Sequence, residues 1–458
     1  MAHWAWDRLK NLGGGLLPGA PPLAIDFGSG ALKVLQLSPG EPATIAAAAA
    51  LLTPEHLAAD ANQRLVWQIE QLPGLLRAAA ITGKRAVCAL PSSLTFCKHI
   101  QVVPEPGIDL NELVRADLAS QLGCAPDSIV ARHMEVGAVA GGKVEVVALA
   151  VAAGLVRKLM EGARAARLEL VGVHPECSAI LRSFDHITRR VGDTETVSLY
   201  LDMGFSATRM FVAHGTRLVF AKTLPVGGLF MDQAIAAQAK CDVPIARMHR
   251  RAALQAIRPV QPSVPAGVID TRPGATHPAT PAPIPDGAHG EGFAVLAAGM
   301  AQAAASRPRP LNAAPEVAAG VAIESNRRSI AAPVGHAVVQ AVRAPLVGYV
   351  DGKRFDLGEA LDALTDEIAM CLRYHDGLFP GKKIARAIFV GGEARNVGLC
   401  QHIARILRLP AQIADPLARL GRAPLPTPSS PGGARVNLSE PQPAWAVAYG
   451  LTLCPTDL

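Results

Sequence analysis

The stretches Ala24–Leu37 (AIDFGSGALKVLQL) and Tyr200–Val212 (YLDMGFSATRMFV) share one plan. Each runs an apolar lead into Asp-x-Gly, passes through small or hydroxyl residues and enters a second apolar run. Asp26 and Gly28 in the first stretch thereby match Asp202 and Gly204 in the second. The pattern predicts two β-hairpins whose tight turns need the backbone freedom of glycine. A turn that bares its N–H groups can wrap a phosphate, and the Asp before it can hold a metal, usually through water. Two such hairpins, a domain's length apart, predict a duplicated core with phosphates clamped between its halves.

Ala387–Gly392 (AIFVGG) adds an apolar strand that ends in Gly391-Gly392, and helical spacing follows over Glu393–Leu409. A diglycine lets backbone come close to a flat ligand because no Cβ intervenes. The order hairpin, hairpin, strand-Gly-Gly-helix resembles that of the actin-like ATPases. The plainer alternative is three ordinary glycine turns in an α/β protein.

Composition narrows the class. A chain of 458 residues can bury two large cores. Half its residues are hydrophobic, but only 4% are aromatic, so the positive mean hydropathy of +0.25 reflects small side chains. No apolar run reaches the ~20 residues that cross a bilayer. Val144–Val156 comes nearest, and Glu145, Arg157 and Lys158 interrupt or end it. The start has no cationic segment, apolar stretch and cleavage site in series, so a cytoplasmic protein is expected. None of the eight cysteines forms a C-x-x-C pair, and reduced, mostly buried thiols are expected. The net charge of +6 is scattered and lacks interleaved aromatics, which gives no support to nucleic-acid binding.

Along the chain, residues 1–22 read as a Gly/Pro-punctuated leader, with Trp6, Leu9 and Leu12 as a short apolar stripe. Residues 22–90 and 148–195 form the first lobe, with a helix at Arg64–Ala80. Residues 91–147 read as a small inserted subdomain, with strands at Thr95–Val103, Ile129–Val136 and Val144–Ala150 and a helix at Leu110–Leu122. The helices Leu155–Leu168 and Pro175–Arg182 flank a strand at Glu169–Val173. Residues 196–256 and 344–458 form the second lobe. Between them, 257–343 are dense in Pro, Ala and Gly without periodicity, the composition of a disordered or extended insertion. Deleting most of it is expected to leave the melting temperature nearly unchanged. Asp351-Gly352 predicts a hairpin turn, and Leu357, Leu361, Leu364, Ile368 and Cys371 recur at helical spacing. Pro424–Gly433 reads as a loop and Ala444–Thr452 as a closing helix.

Taken in order, LAIDFGSGALKVLQL, LYLDMGFSATRMFV, LPVGG, IFVGGEARNVGLCQHIARILRLP, Ala414-Asp415-Pro416 and AWAVAYGL resemble the PilM family. Those are actin-like cytoplasmic proteins of the type IV pilus assembly platform, related to the FtsA cell-division family. The resemblance runs from Pro22 to Leu453, broken by the Pro/Ala-rich insertion. It implies a two-lobed, actin-like α/β fold with a small inserted α+β subdomain, and ATP with Mg²⁺ as ligands. By resemblance, Asp26, Gly28, Ser29 and Lys33 match the first phosphate motif, and Asp202, Gly204 and Thr208 the second. Gly227 and Gly228 join the nucleotide set, and Gly391 and Gly392 match the adenosine motif. Asp26 and Asp202 would lie near the metal. Glu176, in Pro175-Glu176-Cys177-Ser178-Ala179, matches loosely the place of an acid that orients the attacking water. As a Glu at a helix start, it is equally explained by the helix dipole.

Two departures stand out. Glu393 follows the diglycine where a small residue is expected, a placement that would crowd or repel the nucleotide. Ala369-Met370 stand where the family tends to have a polar or basic pair. The resemblance also implies that the inserted subdomain receives a cytoplasmic peptide of an inner-membrane pilus or secretion protein. Leu113, Leu118 and Leu122 would then line an apolar groove, unless all three face inward as core. The expected function is an ATP-binding scaffold, peripheral to the inner membrane through its partner, with turnover slow at most and self-association left open. The alternatives are a small-molecule kinase of the same superfamily and an FtsA-like filament-forming membrane anchor. The anchor reading would favour a terminal amphipathic helix, for which Pro455–Leu458 is too short and polar.

Overall fold

The computed structural model describes residues 21–139, 141–188, 195–255, 347–421, 436 and 438–456. The expectations for residues 1–20, for 257–343 and for Pro424–Gly433 lie outside them. By internal contacts the chain divides into two units. The first comprises Met1–Pro259, Leu346–Thr365 and Ile384–Leu458, and the second Val260–Pro345 and Asp366–Lys383.

The first unit opens with β1 (Leu23–Phe27), β2 (Ala31–Ser38), β3 (Thr44–Leu52), α1 (Ala61–Ala78) and β4 (Arg85–Leu90). An insert follows, made of β5 (Phe96–Val102), α2 (Leu110–Leu122), β6 (Ile129–Val139) and β7 (Lys143–Ala152). The chain returns through α3 (Ala153–Ala165), β8 (Glu169–Pro175) and α4 (Glu176–Ser183). The second lobe holds β9 (Val197–Met203), β10 (Thr208–His214), β11 (Arg217–Leu224), α5 (Gly228–Ala239) and α6 (Val243–Gln255). It continues with β12 (Val347–Val350), β13 (Lys353–Asp356), α7 (Gly358–Leu378) and β14 (Arg386–Val390). α8 (Val397–Leu407), β15 (Ala411–Ile413) and α9 (Ala446–Leu451) complete it. From Asp366 onward α7 belongs to the second unit, whose described residues are Asp366–Lys383.

Two five-stranded sheets repeat one order, β3-β2-β1-β4-β8 and β11-β10-β9-β14-β15. In each, the first three strands form an antiparallel meander and the last two join in parallel. The central strands β1 and β9 are buried along their whole length, which is why both read as unbroken apolar runs up to their Asp. Leu23, Ile25 and Leu32 of the first sheet pack with Leu65 and Leu72 of α1 and with Leu159 of α3.

Local chemistry sets the element ends. α1 begins three residues before the predicted Arg64, because Asp60 caps it and accepts hydrogen bonds from the Asn62 and Gln63 N–H groups at 2.9 and 3.0 Å. It stops at Ala78, and Ala80 turns into the left-handed region at φ 53. The Asp351-Gly352 turn is present between β12 and β13, with both residues at positive φ. The helix read over Glu393–Leu409 is broken. A single turn, Glu393–Arg395, ends at Asn396, whose side chain bonds back to Glu393, and α8 starts only after it.

The insert is an antiparallel sheet of order β5-β7-β6 covered by α2. Val114, Leu118 and Ala119 of the helix pack on Ile100, Val146 and Ala148.

Candidate functional site

In the ladder between β1 and β2, Asp26 lies directly opposite Lys33, and in the ladder between β9 and β10, Asp202 lies directly opposite Arg209. Lys33 Nζ donates to Asp26 Oδ2 at 2.7 Å. Arg209 Nη1 donates to Asp202 Oδ2, and the same nitrogen sits 2.7 Å from Glu176 Oε2 at the start of α4. Each hairpin therefore carries an Asp and, seven residues on, a cation facing it. Arg209 was not among the residues anticipated. The signal was in the sequence, since Arg209 stands at the same offset from Asp202 as Lys33 does from Asp26.

The two hairpin turns meet. The Ser206 N–H donates to Ser29 Oγ at 3.3 Å, and a Cβ on Gly30 would lie 3.2 Å from the Phe205 Cβ. From behind the second turn, the Arg247 guanidinium stacks over the Phe205 ring at 4.6 Å. Arg247 pairs with Asp232 at 2.7 Å and reaches Glu55, just after β3, at 2.9 Å. The first turn is held from its own lobe by buried Gln68, whose amide donates to the Gly28 carbonyl at 2.8 Å.

The glycines divide by what surrounds them. A Cβ on Gly227 would meet the second turn at 2.5 Å from Ala207 N, and one on Gly228 would strike Glu393. Gly228 N donates to the Gly204 carbonyl at 3.1 Å. These two glycines seat α5 against the hairpin turn. Gly391 has φ +91, and a Cβ there would strike Asp202 and the Met203 carbonyl, so no side chain fits. Gly392 has nothing within 4 Å of its Cβ position, so its open face is available to a ligand. The Thr208 hydroxyl is committed to the Val226 carbonyl at 2.7 Å.

Glu393, expected to crowd or repel a nucleotide, is instead turned into the protein. It is buried, paired with Arg250 at 2.7 Å and bonded by Asn396 at 2.9 Å, and Arg250 in turn holds Asp232 at 2.6 Å. A buried cation drew the carboxylate inward. Ala369 and Met370 lie half-buried on the part of α7 that belongs to the second unit. In the insert, Leu118 is fully buried and lines no open surface, Leu113 packs half-buried against the insert's core, and Leu122 is exposed. The three do not share one open face.

Burial pushes the Glu176 carboxyl up to about 7, against the pull of Arg209, and the carboxylates of Asp26 and Asp202 add to the rise. For Arg209, burial works to lower its pKa, but Asp202 and Glu176 outweigh it and raise it. Beside this pair lies a cavity of about 50 Å³ lined by Ser92, Cys97, Glu176, Cys177, Arg209 and Thr223. Burial lifts the Cys97 and Cys177 thiols to about 12 and about 11, so neither is a nucleophile at neutral pH. All eight cysteines are free.

The carboxylates do not fit a divalent ion as they stand. Asp26 is paired with Lys33, and Asp202 and Glu176 share Arg209. Among the described residues, no group of three or more His, Cys, Asp or Glu converges to hold a metal.

Two sheets of one order, joined at facing Asp-x-Gly turns, with a small α+β subdomain inserted in the first lobe, define the actin-like, two-lobed α/β fold. No family model matches the chain, and no curated protein matches it. Among solved structures, a chain of the PilM–PilN type IV pilus biogenesis complex aligns with a TM-score of 0.60 at 18% identity. That alignment covers 95% of this chain and 98% of the other. MreB5 of Spiroplasma citri bound to ADP aligns at 0.41 with 10% identity, over 95% and 96%. Ethanolamine utilization protein EutJ from Carboxydothermus hydrogenoformans aligns at 0.39 with 11% identity, over 97% and 93%. The first alignment shows that this chain shares its fold with the pilus protein over nearly its whole length. Among the described residues, no helix is long and apolar enough to cross a membrane.

Proposed function

We propose that this protein is a PilM-like, nucleotide-binding scaffold of a type IV pilus or related secretion platform, engaging the cytoplasmic tail of an inner-membrane partner. The observation that carries the reading is the shared fold with a chain of the PilM–PilN complex over 95% of this chain. The facing hairpin turns support it. Backbone N–H groups around Gly28 and Gly204, with Ser29 and Lys33, would receive phosphates, and the open face at Gly392 would receive the nucleoside.

Phosphates entering between the turns must displace the Ser206-to-Ser29 bond, which makes nucleotide binding a lever on the lobes. The inserted subdomain sits on that lever. Its Cys97 thiol contacts the Ala221 carbonyl of β11 at 3.7 Å, and its His99 ring contacts the Ala221 N–H at 3.3 Å. Through β11 it senses the second lobe, so ATP should alter the affinity for a peptide docked on the insert. Turnover would be slow, because Glu176, the acid that would serve as a base, is held by Arg209. The protein would then lie at the inner membrane through its partner.

The test is titration of the full chain with short cytoplasmic peptides of co-encoded single-pass membrane proteins, with and without ATP. Binding that ATP strengthens or weakens is the expected result. No binding in either condition rejects the scaffold reading.

A further inference from the structure

Arg209 is the side chain that the expected chemistry of a metal-bound nucleotide leaves without a task. Its Nη1 touches Asp202 of the second lobe and Glu176 of the first, so one nitrogen joins two carboxylates from opposite sides of the cleft. That is the arrangement of a shared cation. A guanidinium stays charged at any pH the protein meets, so the cation is permanent. The remaining acid, Asp26, is committed to Lys33. A divalent ion needs several oxygens at about 2.0–2.1 Å in octahedral array. Here it would have to expel Arg209 or sit beside its charge. The Arg209 Nε donor is buried and makes no hydrogen bond.

We infer that Arg209 occupies the place of the divalent cation, so that this site takes up no metal and any polyphosphate it binds is held metal-free between Lys33 and Arg209. The second half of this inference rests on the nucleotide reading above; the first half does not. Lys33 and Arg209 hold equivalent places in the duplicated hairpins, each opposite its own Asp, so they would flank a phosphate chain from its two sides. Arg209 adds bidentate geometry that a lysine lacks.

The test uses the full chain and Mn²⁺ as the metal probe, read by the paramagnetic resonance of the free ion, with and without ATP. The protein should deplete free Mn²⁺ no further than the ATP present does. ATP affinity, measured by calorimetry, should change less than about twofold when EDTA replaces Mg²⁺, well inside the tenfold step of 1.4 kcal/mol. Arg209→Ala should take up Mn²⁺ at the vacated carboxylates. Arg209→Met, which keeps the buried stem, replaces it if the alanine variant does not fold. Protein-bound Mn²⁺ in the unaltered chain overturns the inference, and so does a folded variant that still takes up none. About tenfold weaker ATP binding in EDTA overturns its metal-free half. Absence of ATP binding in either buffer would sink the nucleotide reading, and the Mn²⁺ comparison would still decide the role of Arg209.

Discussion

In the first hairpin, Lys33 crosses the ladder to Asp26, and the pair stays within one lobe. In the second, Arg209 crosses to Asp202 and continues into the other lobe to reach Glu176. Backbone plan, register and offset are the same in both. The side chains differ in what they meet: the Lys33 ammonium pairs with one carboxylate, whereas one nitrogen of the Arg209 guanidinium lies between two. The first cation therefore stays within its own lobe, while the second also joins the lobes. Duplicated folds can diverge through a single cation without disturbing either copy's backbone.

Removing each cation probes that contrast most strongly. Arg209→Ala leaves two buried carboxylates unpaired and should cost about 3–5 kcal/mol in urea unfolding. Lys33→Ala leaves a single buried carboxylate, Asp26, unpaired and should cost less, about 1–3 kcal/mol. Equal losses would show that Arg209 does not bridge the lobes in solution.

The glycines behind the turns give the next effect. Gly391→Ala forces a side chain into positive φ and against Asp202, and should cost about 2–3 kcal/mol by thermal melting. Gly392→Ala meets open space and should leave the melting temperature within about 1 °C while weakening nucleotide binding. A stability loss at Gly392 would mean that its face is not the open one.

The pH dependence comes next. The Glu176 carboxyl titrates near 7 in the fold against 4.5 ordinarily. A folded pKa raised above the unfolded one lends stability that is fully present below about pH 4.5 and lost as pH rises through about 7. Between pH 5 and 8 the unaltered protein should lose up to about 3 kcal/mol relative to Glu176→Gln. Parallel pH profiles for the two would place the carboxyl outside the buried pair.

Glu55→Ala should show the smallest change. Glu55 is solvent-exposed enough that its bond to Arg247 is worth under about 1 kcal/mol. Its readout is therefore the effect of ATP on peptide affinity, which should diminish if the Glu55–Arg247 contact helps couple the lobes.

Much of this was legible in the chain. The paired Asp-x-Gly turns were readable because buried central strands demand unbroken apolar runs, and tight turns demand glycine. The insert's helix appeared where predicted, since an Asp cap and a left-handed Gly123 mark its ends. The offset from Asp202 to Arg209 was equally readable, but it carries meaning only once the hairpin register places the two side chains opposite each other.

Sequence by itself determined the duplicated hairpins, their acids and glycines, and the resemblance in fold, because periodicity and turn chemistry act over a few neighbouring residues. Tertiary structure alone decided what those acids face. Glu176 lies 33 residues before Arg209 in the chain and 2.7 Å from it in space, and Glu393 reaches Arg250 from 143 residues away. Buried charges seek partners wherever folding brings them, since the desolvation cost is met by proximity in space and not along the chain.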